Sequence, residues 1–240
     1  MGLADLHVHT LYSYDGTASV PAVLQRARQV GLDLIAITDH DEIRGALLAE
    51  ELAQKFEIQV IPGAEITTEE GDLLALSIHK LVPAGLPLID TILRVGEQGG
   101  FCIAPHPMSG APSMKSLNVF SIRRALRHPE AGRILLGIET YNATALDRRA
   151  NLAARILAER SDVAQTGSSD AHVLAAIGLG ATEFPGHTLA DLVTALKMGT
   201  TTVRKGQEWG AFHILGGWLT EYLKSAPARL FPTLEGMQTR

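Results

Sequence analysis

Short apolar runs alternate with longer amphipathic stretches along the sequence, and run after run ends in a histidine or a carboxylate. The runs 4–9, 34–38, 59–61, 73–78, 101–104, 134–138 and 163–166 read as strands, with 200–203 as a weaker last one. The stretches 21–30, 43–56, 88–98, 120–127, 147–159 and 189–198 read as helices. Ser19 ahead of Pro21 marks a helix start, and Gly31, Gly99 and Gly199 mark helix stops. This alternation predicts a parallel α/β sheet. Seven or eight strands suit a closed barrel better than a short open sheet, and their C-terminal ends would then open on one rim. A length of 240 residues fits one such domain. The barrel is expected over 1–205. A tail over 206–240 follows, with an apolar helical stretch at 209–223 and then Pro227 and Pro232; it would pack on the barrel or form an oligomer contact.

The net charge of −5 gives no basic footprint, which argues against a long duplex nucleic acid as partner. A small anionic substrate fits, because metal ions can supply positive charge locally. The single cysteine, Cys102, rules out an intrachain disulfide framework and points to the cytoplasm. The start, Met1-Gly2-Leu3-Ala4-Asp5, does not read as a signal peptide, and no apolar run approaches the roughly 20 residues that span a bilayer.

Asp5-Leu6-His7-Val8-His9 opens the first strand. Alternation puts His7 and His9 on one face, about 7 Å apart along the backbone, where two imidazoles can meet one metal ion. Asp5 shares their parity and is expected to orient them. Further strand ends bring Asp15, His40, Glu65, His106 (between two prolines), Asp170 and His172. Each has an ordinary reading: Asp15 as a turn residue before Gly16, His40 at a helix start with Asp41 as N-cap, Glu65 as a surface glutamate. Their recurrence at successive strand ends argues for a shared site. Imidazole and carboxylate together suit zinc, iron or manganese. One catalytic zinc needs about three protein ligands, so this set is too large for one ion and enough for two or three, with Glu65 the candidate bridge. Such sites clamp the attacking and leaving oxygens of displacement at phosphorus. Asp170 is expected to bind metal and orient the nucleophile, with His172 or His40 helping the leaving oxygen. Arg204, Lys205 and Arg44 are candidates to steady a phosphate, the alternative being plain surface charge. Tyr12, Tyr14 and Tyr141 could stack on a base or sugar, or pack locally.

In this order, His7-Val8-His9-Thr10, Tyr14-Asp15-Gly16, Thr38-Asp39-His40-Asp41, Pro62-Gly63-Ala64-Glu65, Ala104-Pro105-His106-Pro107 and Ser169-Asp170-Ala171-His172 resemble the PHP (polymerase and histidinol phosphatase) family, in its small predicted phosphoesterases. The resemblance implies a distorted (β/α)7 barrel and a two- or three-metal centre. His7, His9, Glu65 and Asp170 would hold one metal, Asp15, His40 and His172 another, and Glu65 with His106 would share a third. It implies hydrolysis of a phosphate ester, monoester or diester, of a small molecule or nucleotide, by attack of a bridging hydroxide. Relatives carry a ligand histidine where this chain has Asp72, in Gly71-Asp72-Leu73-Leu74. Asp72 is the first substitute candidate and His79 the second. Glu139 is expected to support ligands rather than bind metal, and His128, His187 and His213 fall outside every motif. Two rivals stand beside this reading: an amidohydrolase-like metal-dependent hydrolase, which would usually need a bridging lysine, and a metal-stabilised binding domain without catalysis.

Overall fold

The computed structural model describes residues 1–111, 114–145, 147–207 and 209–230. The expected tail 206–240 therefore falls partly outside the described residues, Pro232 among them. In chain order the elements are β1 (Gly2–Asp5), α1 (Val20–Gln29), β2 (Leu34–Ile37), α2 (Arg44–Phe56), β3 (Gln59–Thr67) and β4 (Asp72–Leu76). There follow α3 (Leu88–Glu97), β5 (Phe101–Ala104), α4 (Val119–Arg127), α5 (Ala131–Ile134), β6 (Leu135–Asn142) and α6 (Arg148–Ser161). The last are β7 (Ala164–Ser168), β8 (Gly180–Phe184), α7 (Leu189–Lys197), β9 (Thr202–Lys205) and α8 (Ala211–Leu230).

The strands form one sheet in the order β7-β6-β5-β4-β3-β2-β1-β8-β9. Thus β1–β7 run round in chain order, and β8–β9 is an antiparallel pair beside β1, joined through α7. The sheet curls until its edge β7 meets that pair: Thr182 Oγ1 binds both Gly167 N and Gly167 O, and Thr201 Oγ1 donates to Gln165 O at 2.8 Å. The α/β barrel expected from the sequence is what forms. Its sheet is mixed, however, not wholly parallel, because β4 runs antiparallel to both β3 and β5. The connection 68–71 is far too short for the dozen or more residues of a parallel crossover, so a hairpin is forced. Gly71 makes it possible: its φ is +143°, and a Cβ there would lie 2.7 Å from Leu117 N.

β3 also runs on through Pro62-Gly63, where the sequence reading stopped. Proline lacks only a donor, and the Pro62 carbonyl still accepts from Ile78 N. β8 was missed altogether, since Gly-Ala-Thr-Glu-Phe is too short and too weakly apolar to stand out.

Strands β1 to β8 each place a residue in one buried cluster, from Ala4, Leu34 and Ile61 round to Ala164 and Phe184, with Leu192 and Leu196 of α7 packed into it. This is the barrel interior at the end where most strands begin. The opposite end is left for polar groups. A larger apolar cluster lies between the sheet and its helices.

Candidate metal centre

At that opposite end the expected ligands converge. Glu65 lies at the middle, on β3 beyond Gly63. Its Oε2 is 3.0 Å from His7 Nε2, 3.4 Å from His9 Nε2 and 3.3 Å from His40 Nδ1. Its Oε1 is 2.9 Å from His106 Nε2. Asp170 Oδ1 lies 3.4 Å from His7 Nε2 and 3.3 Å from His9 Nε2. Asp15 Oδ2 bridges His172 Nε2 at 3.0 Å and His40 Nε2 at 3.3 Å. Among the described residues, three groups have ligand atoms within 4.8 Å of one another: His9, Asp15, His40 and His172; His7, Glu65 and His106; and His7, His9 and Asp170.

These donors fit a divalent metal. Imidazole nitrogens and carboxylate oxygens are what such ions take. His9 is buried, and neither ring nitrogen has a hydrogen-bond partner. An unpartnered buried imidazole is costly unless something else engages it, and a metal ion is that kind of partner.

Electrostatics within the cluster follow from burial and mutual charge. Burial alone would lower the pKa of His7, yet Asp170, Glu65 and Glu139 raise it well above its ordinary value. Burial likewise opposes the rise at His40 and His172, which Glu65, Asp15 and Asp170 push up to about 9. His9 goes the other way, to about 4, through burial and the neighbouring His172. Burial would raise the pKa of Glu65 and Asp170, but the surrounding histidines hold both well below the carboxylate range. Asp15 is lowered in the same way, by hydrogen bonds to His172 and His40 that override burial.

A second layer fixes the first. Glu139 is fully buried; its carboxylate accepts from His106 N at 2.6 Å, from Asn142 Nδ2 at 3.1 Å and from Ser168 Oγ, and lies 3.2 Å from His7 Nδ1. Asn142 Nδ2 also donates to Asp170 Oδ2 at 2.9 Å. The sequence indicated Glu139 but not the part played by Asn142. Their spacing of three puts them on opposite faces of a regular strand. A register shift in β6 between Glu139 and Tyr141 turns both to the site. Two of the expected ligands have left-handed backbones, Asp170 at φ 52° and His106 at φ 26°, the kind of strain that collects at functional sites.

Other expectations need correction. Asp5 meets His7 through the backbone and not through the imidazole ring; its carboxylate also accepts from Ser169 N and Gly178 N, tying β1 to the chain after β7. Alternation fails because the β1 ladder ends at Asp5 and pairing resumes only at Val8, opposite Ala171. Leu6 accordingly packs with Ala4 inside the barrel, whereas Val8 packs in the other cluster. Asp41 does not cap α2; Glu42 Oε1 accepts from Ile43 N and Arg44 N, and Asp41 accepts from Thr67 N.

Asp72 begins β4 beside the cluster but belongs to none of its three groups. Its buried Oδ1 has no hydrogen-bond partner, and burial with nearby Glu65 raises its pKa to about 6. His79 is on the surface, paired with Glu50 at 3.1 Å. His128, His187 and His213 are likewise outside the cluster. The candidate phosphate-binding cations are not brought to it. Arg44 is exposed, bound by Glu42 and set over the Tyr12 ring. Lys205 sits over Tyr141 in a separate groove shared with Arg148 and Arg155. Arg204 has the opposite strand parity and is exposed. Of the tyrosines, Tyr14 stacks on His40 with ring centres 4.8 Å apart.

The cluster opens into a pocket of about 230 Å³ bounded on its far side by Trp209 and by Ile214, Leu215 and Trp218 of α8. The sequence places this helix on the barrel or at an oligomer contact, and no motif joins α8 to the site. Among the described residues no helix is long and apolar enough to cross a membrane.

Comparisons with known proteins bear on the family and the fold. The PHP domain family model matches residues 5–165, and a PHP-associated model matches residues 148–201. An uncharacterised protein of Methanocaldococcus jannaschii is 36% identical over 152 residues, 58% of this chain and 81% of that one. A phosphoribosyl 1,2-cyclic phosphate 1,2-diphosphodiesterase of Eggerthella lenta is 33% identical over 98 residues, 38% of this chain and 37% of the other. Among solved structures, a two-domain Bacteroides vulgatus protein containing a predicted PHP-like metal-dependent phosphoesterase superposes with a TM-score of 0.69 at 22% identity, covering 91% of this chain and 69% of that one. An amidohydrolase from Chromobacterium violaceum has a TM-score of 0.57 at 16% identity, covering 90% and 96%. At these identities the superpositions speak for the fold alone.

Proposed function

The chain belongs to the PHP domain family, and from that premise we propose that it is a metal-dependent phosphoesterase hydrolysing a phosphate ester of a small molecule or nucleotide. The observation that carries this reading is the Glu65 carboxylate, within 3.4 Å of the rings of His7, His9, His40 and His106. A carboxylate so placed is a natural bridge between metal sites. His7, His9, Glu65 and Asp170 would hold one ion, Asp15, His40 and His172 another, and Glu65 with His106 would share in a third. Asp72, which feels the charges of Glu65 and His106, would be the substitute oxygen ligand. Zinc, manganese and iron all suit these donors.

When bound, such ions supply positive charge and Lewis acidity for displacement at phosphorus. The protein's part is to hold the donors still. Glu139 and Asn142 lock His7, His106 and Asp170 from behind, the kind of support that commonly tunes metal affinity. Asp170 faces the pocket and would orient the attacking water. His40 and His172 also line it; one of them would help the departing oxygen, a role with which metal ligation competes. Arg44, Arg204 and Lys205 have no part in this scheme, since none lines the pocket.

The amidohydrolase reading is weaker, because no lysine lines the pocket among the described residues. A non-catalytic role is hard to reconcile with a ligand set this full. The domain reading keeps 1–205 as the catalytic barrel, with the tail from 206 contributing to its pocket. The cytoplasm remains the proposed compartment, on the single buried Cys102.

The test is metal content of protein purified without chelator, with hydrolysis of an aryl phosphate monoester and diester on the same sample. Two or three equivalents of metal with turnover are expected. Absence of both, after adding manganese, zinc or iron, would sink the proposal.

A further inference from the structure

The pocket over the cluster has two unlike walls. One is the histidine and carboxylate set. The other is apolar: Trp209, Ile214, Leu215 and Trp218, with Met114 and Val173 beside them. Among the described residues no lysine or arginine lines the cavity. The nearby cations Arg148, Arg155 and Lys205 line a different groove, of about 290 Å³. The apolar wall is anchored, because Trp218 Nε1 donates to Asp15 O at 2.9 Å and Arg148 Nη2 donates to Trp209 O at 2.7 Å. Both indoles also pack against the main hydrophobic cluster.

A phosphoryl group at the cluster therefore places the rest of its molecule against indole and aliphatic carbon. An aromatic group gains burial and ring contact there. A second phosphate would lose its hydration with no cation to receive it, a costly transfer. The cavity volume of about 230 Å³ lies below the ~300–1,000 Å³ of pockets for drug-sized ligands, which suits a small organic part.

Resting on the phosphoesterase reading above, we infer that the tail's Trp209 and Trp218 set specificity, selecting a monophosphate ester of a small aromatic alcohol over substrates with a second phosphate. Water oxygen bonds to phosphorus, the bond from phosphorus to the aryl oxygen breaks, and the phenol departs with a proton.

The experiment uses the metal-loaded full chain with phenyl phosphate, glycerol phosphate and a nucleoside 3′,5′-bisphosphate. Phenyl phosphate should be preferred in kcat/KM by about tenfold, the scale of one ring-stacking contact. Trp209→Ala and Trp218→Ala should erode that preference mainly through KM, and Trp218→Phe should retain most of it. As a readout apart from turnover, phenylphosphonate should quench tryptophan fluorescence saturably, and methylphosphonate should do so far more weakly. A preference for the bisphosphate or glycerol phosphate overturns the inference, as do variants that slow all three substrates equally. If no ester is hydrolysed, the phosphoesterase reading fails instead. The wall then stands or falls with the quenching: saturable with phenylphosphonate supports it, and none overturns it.

Discussion

The two walls of the pocket are built on different principles. The metal-facing wall is fixed by the barrel: each donor sits at a strand end or just beyond, and Glu139 and Asn142 hold several of them through buried hydrogen bonds. The α8 wall is a single helix with Phe212, Leu215, Leu219 and Leu223 all more than half exposed. One wall is held by buried hydrogen bonds, and chemistry at a reacting centre depends on such positioning. The other has apolar surface, which contributes affinity without demanding fixed geometry. The contrast teaches that reaction and selectivity can be carried by separate parts of one small fold.

The comparison is broken most severely at Asp170. Asp170→Ala should reduce turnover by at least about a thousandfold, about 4 kcal/mol of barrier, while circular dichroism reports an intact fold. Near-normal turnover in the folded variant would remove Asp170 from the mechanism. In the barrel interior behind the metal-facing wall, Leu74→Ala should lower unfolding free energy by about 2–5 kcal/mol in a urea titration, since the side chain is fully buried. On α8, Leu219→Ala should stay within about 0.5 kcal/mol, because half of that side chain is already in water. Similar losses at the two positions would mean that α8 is as integral to the fold as the barrel.

Glu139→Gln keeps shape but removes charge behind His7 and His106, and should weaken metal binding by about 10–100-fold by calorimetry. No change would show that the supporting layer is dispensable.

The pH dependence sharpens the same contrast. In metal-free protein His40 and His172 hold their protons up to about pH 9, and a metal must displace them. Metal affinity should therefore rise as pH climbs from about 6 to 9, by about tenfold per unit for each proton released. The stability of the metal-free protein should move oppositely. Both folded pKa values are raised above 6.5, so the stabilisation is complete below about pH 6.5 and lost as pH rises through about 9. A flat melting temperature over that window after chelation would contradict the proton placement.

Much of the fold and site was legible in the sequence because it depends on local repetition. Apolar runs ending in His or Asp mark strands and rim together, as at His40, His106 and Asp170. What escaped depends on breaks in repetition. The lapse in pairing between Asp5 and Val8 turns the Asp5 carboxylate to the His7 backbone and to Ser169 and Gly178. The irregularity in β6 brings Asn142 beside Glu139. β8 holds its place through Thr182 and its neighbours on β1 and β9, contacts no local pattern announces.

By itself the sequence determined that the chain alternates strand and helix and that its strand ends carry metal-binding chemistry, because period and residue type are properties of short segments. Only the tertiary structure decided that β8 pairs antiparallel with β1, that the lysines and arginines turn away from the pocket, and that the tail's tryptophans complete it. Those outcomes are set by which distant segments compete for the same buried space, and no local pattern encodes that competition.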